Sequence, residues 1–241
     1  MASIKDAFEE SLTDSNSIFK YIFYAIPVYF AAMPSVTEAQ VQTLISVPVA
    51  ILLFGFMLQC TANVRNGKNR ILPSFNIFSV FWAGLKGIIA LAPLAILTVI
   101  MHVALIALLA KLPLEPTMVS VFTIVLGIVI YSFNYVGYLL YAHKFKITDA
   151  YNFILIAKYS VDVLIAMFFM GIFLLIVNVI ITAPVVYFIW LFFGFPNPLI
   201  VFYACMVTVF NAAITGHYLA QIDYEIIEVN KDDIDNGTDI L

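Results

Sequence analysis

Asp162, His102 and His217, with the amides of Gln59, Asn134, Asn178 and Asn211, stand inside or at the edge of long apolar runs. A polar group in hydrocarbon is costly to keep and often marks a pathway or a relay. Gln59, Asn134, Asp162, Asn211 and His217 fall toward the same end of their runs. Together they could line a polar cavity open to one face, and such a cavity would take a small solute or an ion. Each also has a plainer reading. Asp162 is one turn from Lys158, so the two could pair at an interface and anchor a helix. Asn134 and Asn211 suit hydrogen bonds between helices, worth typically about 0.6 kcal/mol and at most about 1.7. His102 suits a buried, hydrogen-bonded histidine, with a proton relay as the alternative.

Catalytic chemistry finds no set of residues to use. The three histidines lie far apart and no Cys/His spacing repeats, so no metal site is expected. There is no Gly-rich phosphate loop and no nucleophile elbow. Intramembrane proteolysis would need a Ser/His set or paired embedded acids, and neither is visible. Cys60 and Cys205 fall at different depths, which argues against a disulfide between them. The chain therefore reads as a non-enzyme without a cofactor.

The elements that must position these residues follow from composition. Sixty-three per cent of the 241 residues are hydrophobic and 11% are charged. A soluble domain has about 45–50% apolar and about 25% charged residues. That excess is too large for one soluble core, and it falls in runs near the ~20 residues that cross a bilayer as helix. Alternating strand patterns are absent, which excludes a transmembrane barrel. The expected fold is all-α: a polytopic membrane protein with six spans, about 18–33, 41–62, 88–110, 118–141, 161–183 and 198–219. Pro27, Pro48 and Pro93 fall inside spans, where kinks rather than breaks are expected.

The basic residues set the orientation. Lys5, Lys20, Arg65, Lys68, Arg70, Lys86, Lys144, Lys146, Lys158 and Lys231 would share one side, leaving Lys111 on the other. Both termini are then cytoplasmic in a multi-pass protein of the cell membrane. The first 17 residues hold Lys5 against Asp6, Glu9, Glu10 and Asp14; that is unlike a signal peptide, so the N-terminus is expected to be retained. Arg65, Lys68, Arg70, Lys86, Lys144, Lys146 and Lys158 are candidate contacts for lipid headgroups. For "VRNGKNR" (64–70), ordinary positive-inside orientation is the competing explanation. Residues 222–241 carry seven acids and one base, an acidic cytoplasmic tail that is either solvated or a dock for a basic partner. No basic patch suits nucleic acid.

Three stretches precede spans with apolar residues at helical spacing: about 4–15, 74–86 and 148–158. Each reads as an amphipathic helix lying in the membrane surface. "IKDAF" (4–8) and "ITDAY" (147–151) echo one another, and Asp6 and Asp149 would each sit in a first helical turn. Ser3 with Asp6 fits a cap. The chain thus divides into three copies of surface helix plus helical hairpin, related by an axis along the membrane normal. The uncharged stretch "PVVYFIWLFFGFPNP" (184–198) calls for a break near Pro184, because one helix through it would overrun a roughly 30 Å core. Its rings would then lie at the outer interface or in a re-entrant segment.

"GKNRILPSFNIFSVFWAGLKGIIALAP" (67–93), "GHYLAQIDYE" (216–225) and "DAFEESLTDSNSIFKYI" (6–22) resemble the blocks of a prokaryotic membrane family known as domain of unknown function 4013. Where that family often has an acid after Leu-Pro, this chain has Ser74 and Phe75. The resemblance implies six helices and carries over no functional residue. Two functions stay open: an organiser of lipid or of a partner protein, met through the acidic tail or the surface helices, and a small-solute or ion transporter.

Overall fold

A computed structural model describes residues 3–32, 39–68, 70–113, 115–194 and 197–228. Those residues form helices and their connections and contain no strand. The helices are α1 (Ile4–Thr13), α2 (Ser17–Ala32), α3 (Ala39–Arg65), α4 (Ile77–Leu109), α5 (Pro116–Lys144), α6 (Phe153–Val177), α7 (Ala183–Phe193) and α8 (Pro198–Ile222). Five stretches, Leu44–Arg65, Ile77–Leu109, Pro116–Ala142, Phe153–Phe193 and Pro198–Glu225, are long and apolar enough to cross a membrane. The expected span at 18–33 coincides with α2, which is apolar but has 16 residues. That is about 24 Å of helix against a hydrocarbon core of roughly 30 Å. The first expected outer connection falls largely on residues 33–38, outside the described residues.

Where these helices begin follows from their caps. Ser3 Oγ accepts from the Asp6 amide at 3.1 Å and starts α1 as expected. "ITDAY" behaves differently. Asp149–Tyr151 is a single 3-10 turn, and Thr148 turns its hydroxyl to Asp149 instead of capping. Asn152 is the cap, accepting from the Leu155 amide at 3.2 Å. Asn76 does the same for α4, accepting from Ser79 N at 3.0 Å. The expected surface helices at 74–86 and 148–158 are therefore not separate pieces. From Ile77 and from Phe153 these two segments run without a stop into the spans that follow, whereas α1 ends at Thr13, before α2 begins. The one small residue between the two parts of α4, Gly87, costs a helix only about 1 kcal/mol.

Helices α2, α3 and α4 run unbroken through Pro27, Pro48 and Pro93. Near Pro184 the expected break is instead a π-helical turn, Asn178–Thr182, and the helical run Phe153–Phe193 continues for 41 residues. Pro184 sits in the first turn of α7, where its missing N–H costs little. The wider π turn moves the carbonyl that its ring would strike. Gly194, at φ +75°, ends the run. Gly67, at φ +60°, ends α3: its amide meets Val64 O and the Lys68 amide meets Asn63 O, both at 3.0 Å, the double closure that glycine makes after a helix. The acidic tail begins later than expected, because Ile222 and Asp223 are buried and a π-helical turn covers Asp223–Glu228. Residues 229–241, most of the expected tail, lie outside the described residues.

The described residues form two compact units, one drawn from 1–87 with 169–221 and the other from 88–168 with 222–228. In the first, Tyr21, Tyr24, Leu52, Phe56, Cys60, Leu72, Val80, Val209 and Ala213 share one core. Helices α3 and α4 cross there backbone to backbone. A Cβ on Gly55 would land against Val80 O, and one on Gly84 against Ile51 O. Glycine is what permits that approach, as at close crossings in membranes. In the second, α4 and α5 pack with Gly137 against Leu94 and Gly127 against the His102 ring.

Candidate functional site: polar seams and a basic loop

The first unit gathers its polar groups at three places. At the first, α1 lies against α8. Ser3 N donates to Gln221 Oε1 at 2.6 Å, His217 Nε2 stands 3.4 Å from Glu10, and Gln221 Nε2 is 3.3 Å from His217 Nε2. Phe8 meets Phe210 and Phe173 edge to face. Ala7 and Ser11 are wholly buried, so α1 seats one face on protein rather than lying free on a lipid surface. At the second, Asn211 Nδ2 donates to Asn178 Oδ1 at 3.3 Å, and Thr182 Oγ1 donates to the same oxygen. At the third, Gln59 Nε2 donates to Ser79 O at 3.2 Å across α3 and α4.

In the second unit Asn134 Nδ2 donates to Thr98 Oγ1 at 3.0 Å, and Tyr151 OH donates to Ala90 O. His102 stacks on Tyr131 with ring centres 5.4 Å apart. Asp162 is exposed on α6. Among the described residues no ion pair joins it to Lys158, whose ammonium lies over the Tyr159 ring at 5.0 Å. Of the five cavity candidates, Gln59, Asn211 and His217 thus belong to the first unit and Asn134 and Asp162 to the second. Four of the five are hydrogen-bonded or paired within their own unit. No group of three or more His, Cys, Asp or Glu side chains suited to a metal occurs among the described residues. Cys60 and Cys205 are buried free thiols.

The basic candidates split by burial. Lys68, Arg70, Lys86, Lys144, Lys146 and Lys158 are exposed, and Arg65 is half-buried. Lys86 lies 5.8 Å over the Trp82 ring. Lys20, one of the bases expected to share the cytoplasmic side, is 3% exposed and pairs with Asp14 at 3.3 Å. Asp14 also accepts from Leu72 N at 2.7 Å, and Lys20 donates to Leu72 O at 3.3 Å. Tyr24 OH donates to Ser74 O, and Asn63 Nδ2 to Ile71 O. These bonds hold residues 71–74; beside them Lys68 and Arg70 are exposed, Lys68 Nζ donating to Asn63 Oδ1 at 3.0 Å. Sequence reasoning missed the Asp14–Lys20 pair. Its signal was an acid and a base on either side of the turn-forming Ser15 and Asn16.

Fold and seams together define a polytopic helical membrane protein. The chain matches no family model, no curated protein and no solved structure.

Proposed function

We propose that this protein is a non-enzymatic organiser in the cell membrane, holding lipid or a partner protein at its basic, cytoplasmic side. The observation that carries this reading is the loop lashed down at residues 71–74. A buried ion pair and four hydrogen bonds fix residues 71–74, next to exposed Lys68 and Arg70. Ordering chain is costly, and a fixed display of positive charge suits headgroup phosphates or an acidic surface. The same reading puts both termini in the cytoplasm and leaves residues 229–241 as an acidic segment for a basic partner. The kinship with domain of unknown function 4013 is a proposal of the same standing, resting on the quoted blocks.

The transporter reading rests on Asp162, an exposed carboxylate with no partner among the described residues and the one acid on α6. Gln59, Asn134, Asn211 and His217 each bond within their own unit, yet Asn134 Oδ1, Asn211 Oδ1 and His217 Nδ1 are buried without a partner. These unspent atoms belong with Asp162 to the transporter reading, and the organiser stands on the fixed basic loop. A photo-reactive side chain at Arg70, activated in native membranes, tests the choice. Discrete lipid or protein adducts are expected. Labelling no greater than at an exposed apolar site such as Leu175 would remove the basis of the reading.

A further inference from the structure

The lashed loop forms one wall of a groove. Phe75, at its end, faces α2, and together with Asn16, Phe19, Ile22, Phe23 and Ile26 it borders an open surface groove of about 510 Å³. That is within the roughly 300–1,000 Å³ of ligand clefts. Phe23 and Phe75 meet edge to face, 5.4 Å between centres, and make the floor. Asn16 at φ +60° makes the polar end. The remaining lining is hydrocarbon, with Phe19, Ile26 and Phe75 exposed.

Three observations say what fits. From Asn16 to Ile26 the groove follows ten residues of chain, about 15 Å, half the roughly 30 Å hydrocarbon core and so the depth of one leaflet. Its polar end is beside positive charge. Leu72 is bonded to Asp14 and Lys20; Asn16 is two residues along the chain from Asp14, and Arg70 two from Leu72. Two residues span at most about 7 Å, so Arg70 and Asn16 flank the same Asp14–Leu72 bond from its two sides. Asp14 and Lys20 neutralise each other in their buried pair, so the exposed bases Arg70 and Lys68 set the local sign.

We propose that this groove seats one acyl chain of an anionic phospholipid, with the headgroup phosphate against Arg70 and Lys68 outside it. The proposal rests on the organiser reading and names its lipid class and its place. A neutral lipid would fill the apolar part equally well and bring the two bases no net counter-charge. Anionic charge is therefore what distinguishes the occupant.

The test uses the full chain in detergent, titrated separately with phosphatidylglycerol and phosphatidylcholine, and reads retained lipid by native mass spectrometry. Wild type should hold one phosphatidylglycerol in preference to phosphatidylcholine. Arg70→Gln and Lys68→Gln should each weaken phosphatidylglycerol by about fivefold, at about 1 kcal/mol per base near a membrane surface, and leave phosphatidylcholine unchanged. Ile26→Trp and, independently, Ile22→Phe fill the groove and should abolish the bound lipid, while circular dichroism melting reports that each variant is folded. Equal retention of the two lipids by wild type overturns the proposal. So does full retention by either folded groove-filling variant. If only the base substitutions matter, lipid sits on the loop alone: the groove assignment fails and the organiser reading survives. If wild type holds no lipid and the Arg70 photo-probe also captures nothing, both fail.

Discussion

Replacing Gly84 with alanine adds one methyl group where α3 and α4 have no room. The new Cβ would meet Ile51 O, 2.8 Å from the Gly55 nitrogen and 3.0 Å from its Cα. These obstacles are backbone, so no rotamer change relieves them and the helices must part. Overpacking costs about 1–3 kcal/mol and occasionally more; a backbone clash belongs at the upper end. Alanine returns about 1 kcal/mol of helix propensity. The net is a loss of about 2 kcal/mol, or a fall in melting temperature of about 4–8 °C for a chain of this size. Gly171 supplies the control, since a Cβ there meets nothing within 4 Å. Gly171→Ala should keep the propensity gain and raise the melting temperature by about 2–4 °C. Both variants are to be melted in one detergent, followed by far-UV circular dichroism. If Gly84→Ala melts at or above Gly171→Ala, the close crossing is not a feature of the folded protein.

Lys20→Met strands the buried Asp14 carboxylate and should cost about 3–5 kcal/mol in detergent-based equilibrium unfolding, with Asp14→Asn added to it recovering part of the loss. Asn76→Ala and Asn152→Ala each remove a cap and should cost about 1 kcal/mol, whereas Thr148→Ala, which caps nothing, should be near neutral in the same assay. A double-mutant cycle on Thr98 and Asn134 should give a coupling of about 0.6 kcal/mol and no more than about 1.7; zero coupling would contradict the bond. Lys68→Cys, exposed on the loop, should react with a membrane-impermeant maleimide only after the cytoplasmic face is opened, and labelling of intact cells from outside would reverse the orientation.

Fold class was legible because hydrocarbon admits few backbones, so runs of apolar residues at Ile88–Leu109 or Phe168–Val177 could hardly mean anything else. Helix ends were legible only where a stop signal existed. Lys86 and Gly87 mark a change from amphipathic to apolar, but both patterns share the 3.6-residue period, and the helix runs through. Pro184 did flag an irregularity; whether a proline breaks a helix or sits after a π turn depends on the carbonyl one turn earlier, which spacing does not reveal. "ITDAY" misled because Asp149 and Asn152 are both good cap residues, and only Asn152 is placed to accept from Leu155. Residue types at the polar seams could be read directly. Their partners, Ser79, Thr98 and Asn178, sit on other helices and needed the fold. Asp14 and Lys20 escaped because they are six apart across a turn, outside the i,i+4 rule.

The central claim is that this membrane protein organises rather than conducts, and the transporter reading hangs on Asp162. Purified protein in sealed liposomes, with an internal pH dye and an imposed potassium gradient, tests it most directly. The account predicts proton and cation leaks equal to those of protein-free liposomes, with Asp162→Asn no different from wild type. A leak above the protein-free level that Asp162→Asn abolishes would contradict it.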